Sequence, residues 1–124
     1  MKIERFEEIE AWQLARELTQ KVYALTRKPG LEKDFGLKNQ LQQAAGSSMQ
    51  NIAEGFDCDS DIEFARFLGI ARRSAVEVQS LLYAALDVNY ITQQEFESHY
   101  EQARKAKALV GGFKRSLIKK HANQ

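Results

Sequence analysis

The sequence predicts an all-α protein, an antiparallel up-down-up-down four-helix bundle. Four stretches carry apolar residues at spacings of three and four, which is the period of a helix with one buried face. No stretch shows the alternating, β-branched pattern of a strand. Because the three predicted connections are short, successive helices are expected to lie antiparallel. At 124 residues, the chain has the size of one domain, which we predict to span residues 1–124.

The first two helices are predicted over residues 6–27 and 35–55. Pro29 and Gly30 are helix breakers and are expected to end the first helix. Gly55 suits the left-handed position just past the end of the second helix. The inner stripe of the first helix comprises Ala11, Leu14, Ala15, Leu18, Val22 and Leu25. The inner stripe of the second comprises Leu37, Leu41, Ala44, Ala45, Ser48 and Ile52.

The last two helices are predicted over residues 61–87 and 93–119. The third has the clearest apolar stripe of the chain: Phe64, Phe67, Leu68, Ala71, Ala75, Val78, Leu82 and Ala85. The inward residues of the fourth are Phe96, Tyr100, Ala103, Ala106, Val110, Phe113 and Leu117. Gly111 and Gly112 interrupt this last helix. Because glycine lowers helix propensity, the pair is expected to mark tight helix packing or a subunit contact.

Both of these helices begin with the sequence of a capping box. In such a box, a hydroxyl accepts a hydrogen bond from the backbone N–H three residues on, and the glutamate there reaches back. Ser60 and Glu63 have this spacing before the third helix, and Thr92 and Glu95 have it before the fourth. The two boxes therefore predict where these helices start.

Positive charge is concentrated at the end of the chain. Residues 102–124 contain seven of the 18 basic residues and none of the 17 acidic ones. An exposed strip of cations is the electrostatic footprint of a nucleic-acid-binding protein. The candidate nucleic-acid-binding residues on the fourth and third helices are Arg104, Lys105, Arg115, Lys119, Arg72 and Arg73. The alternative is that this strip is only solvated surface and that the chain is a protein-protein interaction module.

Polar residues beside the apolar stripes indicate a possible second site. Charged groups inside a bundle must be paired and hydrogen-bonded to be tolerated, which predicts a buried structural network. The candidates for this polar network are Asn51, Glu54, Arg66, Ser74 and Glu77. A ligand site formed by the same residues is the alternative. A further hypothesis, an enzyme, would rest on Glu54, Glu77 and His99.

The chain lacks the motifs of metal-dependent and nucleophilic catalysis. His99 follows Glu95 by four residues, whereas the carboxylate metal centres of bundles use a spacing of three. Residues 57–61 carry three alternating aspartates, but the sixth and twelfth positions of a calcium loop starting there hold Ile62 and Leu68. We therefore expect no enzymatic activity, no metal and no cofactor.

The sequence also bears on where the protein resides. It contains no run of about 18 apolar residues, and its first eight residues are too polar for a signal peptide. The single cysteine, Cys58, cannot form an internal disulfide, which fits a reducing compartment. A cytoplasmic protein with no membrane partner is therefore expected. Trp12, Tyr23 and Tyr83 lie off the inner stripes and are candidates for subunit contacts or for partial burial between helices.

Three blocks of sequence are typical of one known protein family. They are residues Phe6–Arg16 with Val22–Thr26, residues Phe35–Leu37 with Asn51–Gly55, and residues Glu63–Leu68 with Ser74 and Glu77. On these blocks the chain resembles the four-helix-bundle proteins of the 23S rRNA intervening-sequence protein family, which includes the accessory proteins of diversity-generating retroelements. The resemblance implies a homo-oligomer, a pentameric ring with a positively charged surface. It also implies RNA or DNA and a reverse transcriptase as possible partners, and no enzymatic activity.

The chain departs from the family pattern at three places. Gln43 stands where the family commonly has arginine, and Met49 stands where it often has proline. The acidic loop 57–61 replaces a loop that often carries a basic residue. The differences at Gln43 and in the loop remove positive charge from the side of the second helix.

Overall fold

The structure, a computed structural model, describes residues 2–122 and is built from helices, with no strand in that range. A 3₁₀ turn at Phe6–Glu8 precedes five α-helices: α1 (Glu10–Leu25), α2 (Pro29–Lys33), α3 (Phe35–Phe56), α4 (Asp61–Asp87) and α5 (Gln93–Ala122). The four long helices α1, α3, α4 and α5 correspond to the four predicted ones. The all-α four-helix bundle predicted from the sequence is therefore confirmed.

Each long helix packs against two others, so that α1, α3, α4 and α5 follow one another around the bundle. The predicted inner stripes lie in this core, since all of their members are buried or half-buried. The core consists of two clusters along the bundle axis. Leu18, Leu41 and Leu82 are fully buried in one, and Ile52 and Leu68 are fully buried in the other. None of the helices in residues 2–122 has the length and apolar character needed to cross a membrane.

The first helix ends before Pro29 and Gly30, as expected, since α1 stops at Leu25. Pro29 also starts α2, because proline lacks the N–H that a first helical position would leave unused. The expectation about the conformation of Gly55 is wrong. Gly55 lies within α3, and none of the described glycines has a positive φ. The left-handed residue is instead Asn89, with φ of 63°, just after α4. The N–H of Tyr90 donates to the carbonyl of Ala85, a bond that closes the helix end.

The two predicted capping boxes differ in the structure. Thr92 Oγ1 accepts from the N–H of Glu95 at 3.1 Å, and Glu95 Oε1 accepts from the N–H of Thr92 at 2.8 Å, so this box is complete. Ser60 Oγ accepts from the N–H groups of Ile62 and Glu63, but the Glu63 carboxylate pairs with Arg66. The serine half of this capping box is therefore formed, and the glutamate half is not.

The carboxylate of Glu95 also forms an ion pair with Lys28, just before α2. The hydrogen bond from Lys28, together with that from the backbone of Thr92, lowers the pKa of Glu95 below its ordinary value of 4.5. A carboxyl whose pKa is lower in the folded state stabilises the fold above its unfolded pKa. That contribution is lost as the pH falls through the lower, folded pKa.

We therefore expect Glu95→Gln to lower the free energy of unfolding at neutral pH by about 0.5–1 kcal/mol, a small value because the pair is partly exposed. In acid, below the folded pKa of Glu95, the two proteins should be equally stable. Urea unfolding at several pH values measures this difference. Glu97→Gln removes a neighbouring exposed carboxylate as a control. An effect of Glu95→Gln that does not change with pH would contradict the assignment.

Candidate nucleic-acid interface

Two glycines lie where α4 and α5 run side by side. A Cβ built on Gly69 of α4 would stand 3.0 Å from Lys114 Nζ of α5. A Cβ built on Gly111 of α5 would stand 3.6 Å from Arg72 Nε of α4. The pairing of early α4 with late α5 shows that the two helices are antiparallel. The Lys114 ammonium therefore lies close over Gly69, and the Arg72 guanidinium lies at ordinary contact distance from Gly111.

Two more cations lie at the same place. Arg73 Nη1 is 3.7 Å from the Cβ position of Gly69, and Arg115 Nη1 is 3.4 Å from that of Gly111. We call Arg72, Arg73, Lys114 and Arg115 the basic cluster. The three arginines are exposed and Lys114 is half-buried. Long basic side chains of this kind lay their apolar stems on the protein and keep the charged head in water.

The basic cluster has no acidic partner in the described part of the chain, where all four ion pairs are formed by other residues. Like charges that are close together repel one another, and this repulsion is relieved when an anion binds between them. Guanidinium groups present a planar fork of N–H donors that matches a phosphate, and an ammonium adds a point charge. The cluster is therefore suited to bind phosphate groups.

The other predicted cations, Arg104, Lys105 and Lys119, lie on α5 outside the basic cluster. Arg104 donates two hydrogen bonds to Glu101, at 2.8 and 2.6 Å, and the first cause of the lowered pKa of Glu101 is this hydrogen bond. The charge of Arg104 is thus largely matched inside the chain. Lys105 and Lys119 are exposed. Lys114 was not among the predicted site residues, since it flanks the inner stripe of α5. The sequence feature that could have indicated it is Gly69, a glycine inside a strongly predicted helix.

The predicted polar network exists only in a smaller form. Asn51 Nδ2 donates to the carbonyl and to Oγ of Ser47 at 2.9 Å each, and Ser74 Oγ lies 2.8 Å from Ser47 Oγ. The bonds between Asn51 and Ser47 lie within α3, and the bond between Ser74 and Ser47 joins α3 to α4. The charged candidates do not take part in this network, because Glu54, Arg66 and Glu77 are exposed. Burying three charges costs far more than leaving them in water, which explains the difference.

The remaining candidate residues hold structural positions. His99 Nδ1 lies 2.7 Å from the carbonyl oxygen of Glu95, and Nε2 lies 3.3 Å from that of Lys21, which links α5 to α1. Cys58 is half-buried. Trp12 is 8% exposed and packs edge-on against Phe6. In residues 2–122, no three His, Cys, Asp or Glu side chains are grouped so that they could hold a metal ion.

The fold and this site define a small all-helical bundle protein with a cation-rich surface across two neighbouring helices. The chain belongs to the 23S rRNA-intervening sequence protein family, whose family model matches residues 7–112. This confirms the family resemblance predicted from the sequence.

A protein of unknown function from the S23 ribosomal protein family of Bacteroides thetaiotaomicron is among the solved structures that share the fold, with a TM-score of 0.78 and 22% sequence identity. The match covers 83% of this chain and 96% of that chain. At this level of identity, the similarity establishes the fold alone. No curated protein matches the chain significantly.

Proposed function

We propose that this protein is a non-enzymatic, homo-oligomeric scaffold that binds nucleic acid through the basic cluster and the adjoining basic surface of α5. The observation that carries the proposal is the gathering of four cations over two glycines, with no acidic partner among the described residues. Such a site neutralises phosphates and releases the counterions condensed on them. Binding of this kind is salt-dependent and largely independent of base sequence.

Assembly would multiply the effect of one cluster. We propose a pentamer, the assembly that the family resemblance implies, in which several basic clusters engage one strand at a higher effective concentration. The chain carries exposed apolar side chains that subunit contacts would cover; they include Phe35, Val88 and Ile118, which are 65%, 55% and 51% exposed. Native mass from light scattering tests this part, and a monomer would contradict it.

The resemblance to retroelement accessory proteins makes a reverse transcriptase the proposed protein partner. Retention of a reverse transcriptase from the same genome on the immobilised full chain tests this. If the enzyme is not retained, the nucleic-acid scaffold acts without it.

The binding proposal is tested by fluorescence anisotropy with labelled RNA and DNA at several salt concentrations. We expect the double variant Arg72→Gln/Lys114→Gln to weaken binding about tenfold or more at low salt. The slope of log affinity against log salt should also fall in magnitude by about 2, because two phosphate contacts are lost.

The matched control is Arg27→Gln/Lys33→Gln, which removes the same charge from exposed positions outside the basic cluster. This variant should keep the affinity and nearly the whole salt slope. Equal losses in the two variants would show that only net charge matters. No binding of the wild-type protein at low salt would overturn the proposal.

A protein-interaction module is the alternative function. It is favoured by the internal pairing of Arg104 with Glu101 and by the exposed apolar residues, neither of which serves a phosphate site. Capture of one defined protein partner that survives nuclease treatment would support it. The partner should still be captured by Arg72→Gln/Lys114→Gln.

A further inference from the structure

An aromatic side chain lies exposed on the same surface as the basic cluster. Tyr83 of α4 is 50% exposed. Its ring packs at 4.7 Å from the ring of Phe96 and at 5.9 Å from that of Tyr100, measured between centroids. Phe96 is 7% exposed and is itself part of the core. One side of the Tyr83 ring is thus held by α5, and the rest is open to solvent.

Tyr83 is aligned with the basic cluster along α4. Counting back from Tyr83, Val76, Arg72 and Gly69 follow at intervals of seven, four and three residues, so they lie on one face of the helix. Eleven residues separate Tyr83 from Arg72, which corresponds to about 17 Å along the axis and about 20° around it. Val76, between them, is 40% exposed. The surface therefore runs along α4 from Tyr83, past the exposed Val76, to the four cations.

This order of groups matches the parts of a single nucleic-acid strand. Bases have flat faces that stack on aromatic rings, while phosphates bind to cations. At the duplex spacing of about 3.4 Å per nucleotide along one strand, about 17 Å corresponds to about five nucleotides, and a more extended single strand covers it with fewer. In a duplex, the base faces are already stacked on their neighbours, so Tyr83 could not reach them. A nucleic acid can therefore contact both Tyr83 and the basic cluster in this way only if it is single-stranded.

We propose that the surface between Tyr83 and the basic cluster is a binding site for single-stranded RNA or DNA, with one base stacked on Tyr83. The ring supplies a contact that a duplex cannot use, and the cations supply one that any nucleic acid can use. Because Phe96 and Tyr100 hold the ring in place, little side-chain freedom is lost on binding. This inference rests on the proposed function.

The experiment is a titration of a labelled single strand of about 12 nucleotides, and of the corresponding duplex, by fluorescence anisotropy. Tyr83→Ala should weaken single-strand binding about tenfold, the loss of one stacked base, and leave duplex binding unchanged. Tyr83→Phe keeps the ring and should bind as the wild type does. Parallel RNA and DNA strands show which of the two the surface takes, and Tyr83-dependent binding of either supports the inference.

Two controls separate stacking from a change in stability. Tyr83→Leu keeps an apolar contact with Phe96 without an aromatic face, so it should weaken single-strand binding while the thermal unfolding curve stays near that of the wild type. Tyr23→Ala removes an equally exposed tyrosine, 47% exposed, from α1, which does not form this surface. Any change that it causes, through assembly, should be equal for the single strand and the duplex.

The outcomes distinguish this inference from the proposed function. If Arg72→Gln/Lys114→Gln weakens binding but Tyr83→Ala and Tyr83→Leu do not, the phosphate site stands and the stacking site is refuted. An equal loss of single-strand and duplex binding in Tyr83→Ala also refutes it. If neither nucleic acid binds to the wild-type protein, both proposals fail.

Discussion

Replacing Leu82 with alanine is expected to lower the free energy of unfolding by about 2–5 kcal/mol. Leu82 is fully buried between α4 and the other long helices, in the cluster that contains Leu18 and Leu41. Truncation removes apolar surface from the core and leaves a cavity that the packed neighbours fill only in part. Urea denaturation measures the change, and an unchanged slope with denaturant shows that the same surface still becomes exposed.

The control for Leu82→Ala is Ile62→Ala, which shortens a side chain of similar size that is 62% exposed. Its effect should stay within about 0.5 kcal/mol. Tyr83→Ala provides a second comparison, because Tyr83 directly follows Leu82 in α4 but lies at the surface and not in the core. A Leu82→Ala protein as stable as Ile62→Ala would contradict the packing described for α4.

Replacing Gly55 with valine is expected to destabilise the protein by about 2–3 kcal/mol. Gly55 is buried where the end of α3 meets the start of α4. A Cβ there would stand 2.8 Å from Phe64 Cδ1 and 2.8 Å from Phe67 Cβ. Phe64 is held by Phe56 and Phe113, so the substitution must push helix backbones apart. Thermal or urea unfolding measures the loss.

Gly46→Ala is the matched control in the same helix. A Cβ at Gly46 would meet only Gln50 Nε2, at 3.7 Å, which is an ordinary contact. Since alanine favours helix over glycine, this variant should be more stable than the wild type by about 0.5–1 kcal/mol. The prediction fails if the two glycine substitutions change stability in the same direction.

These glycines show how far sequence reasoning reaches. The local signal at Gly55 was its position before a polar linker, which is typical of a helix end with positive φ. The structure places it inside α3, where its missing side chain admits Phe64. The requirement for glycine is a contact with a residue of another helix. No local pattern around position 55 contains that information.

The same limit applies to the charged residues. The apolar period identified the four long helices and their buried faces, because a helix exposes the same face every three to four residues whatever its neighbours are. Capping residues identified where α4 and α5 start, since a cap acts within four residues. Glu54, Arg66 and Glu77 were expected inside the bundle, but the packing of α3 and α4 leaves all three exposed.

The candidate site depends on how α4 and α5 pack against each other. From the sequence alone, Arg72, Arg73 and Arg115 could be recognised as exposed cations, and Tyr83 as a residue off the inner stripe. Periodicity specifies the angle of a residue around its own helix, but not its height relative to the neighbouring helix. That height follows from how α4 and α5 pack along their whole length. Only the packed bundle brings Lys114 over Gly69 and places Phe96 and Tyr100 against Tyr83.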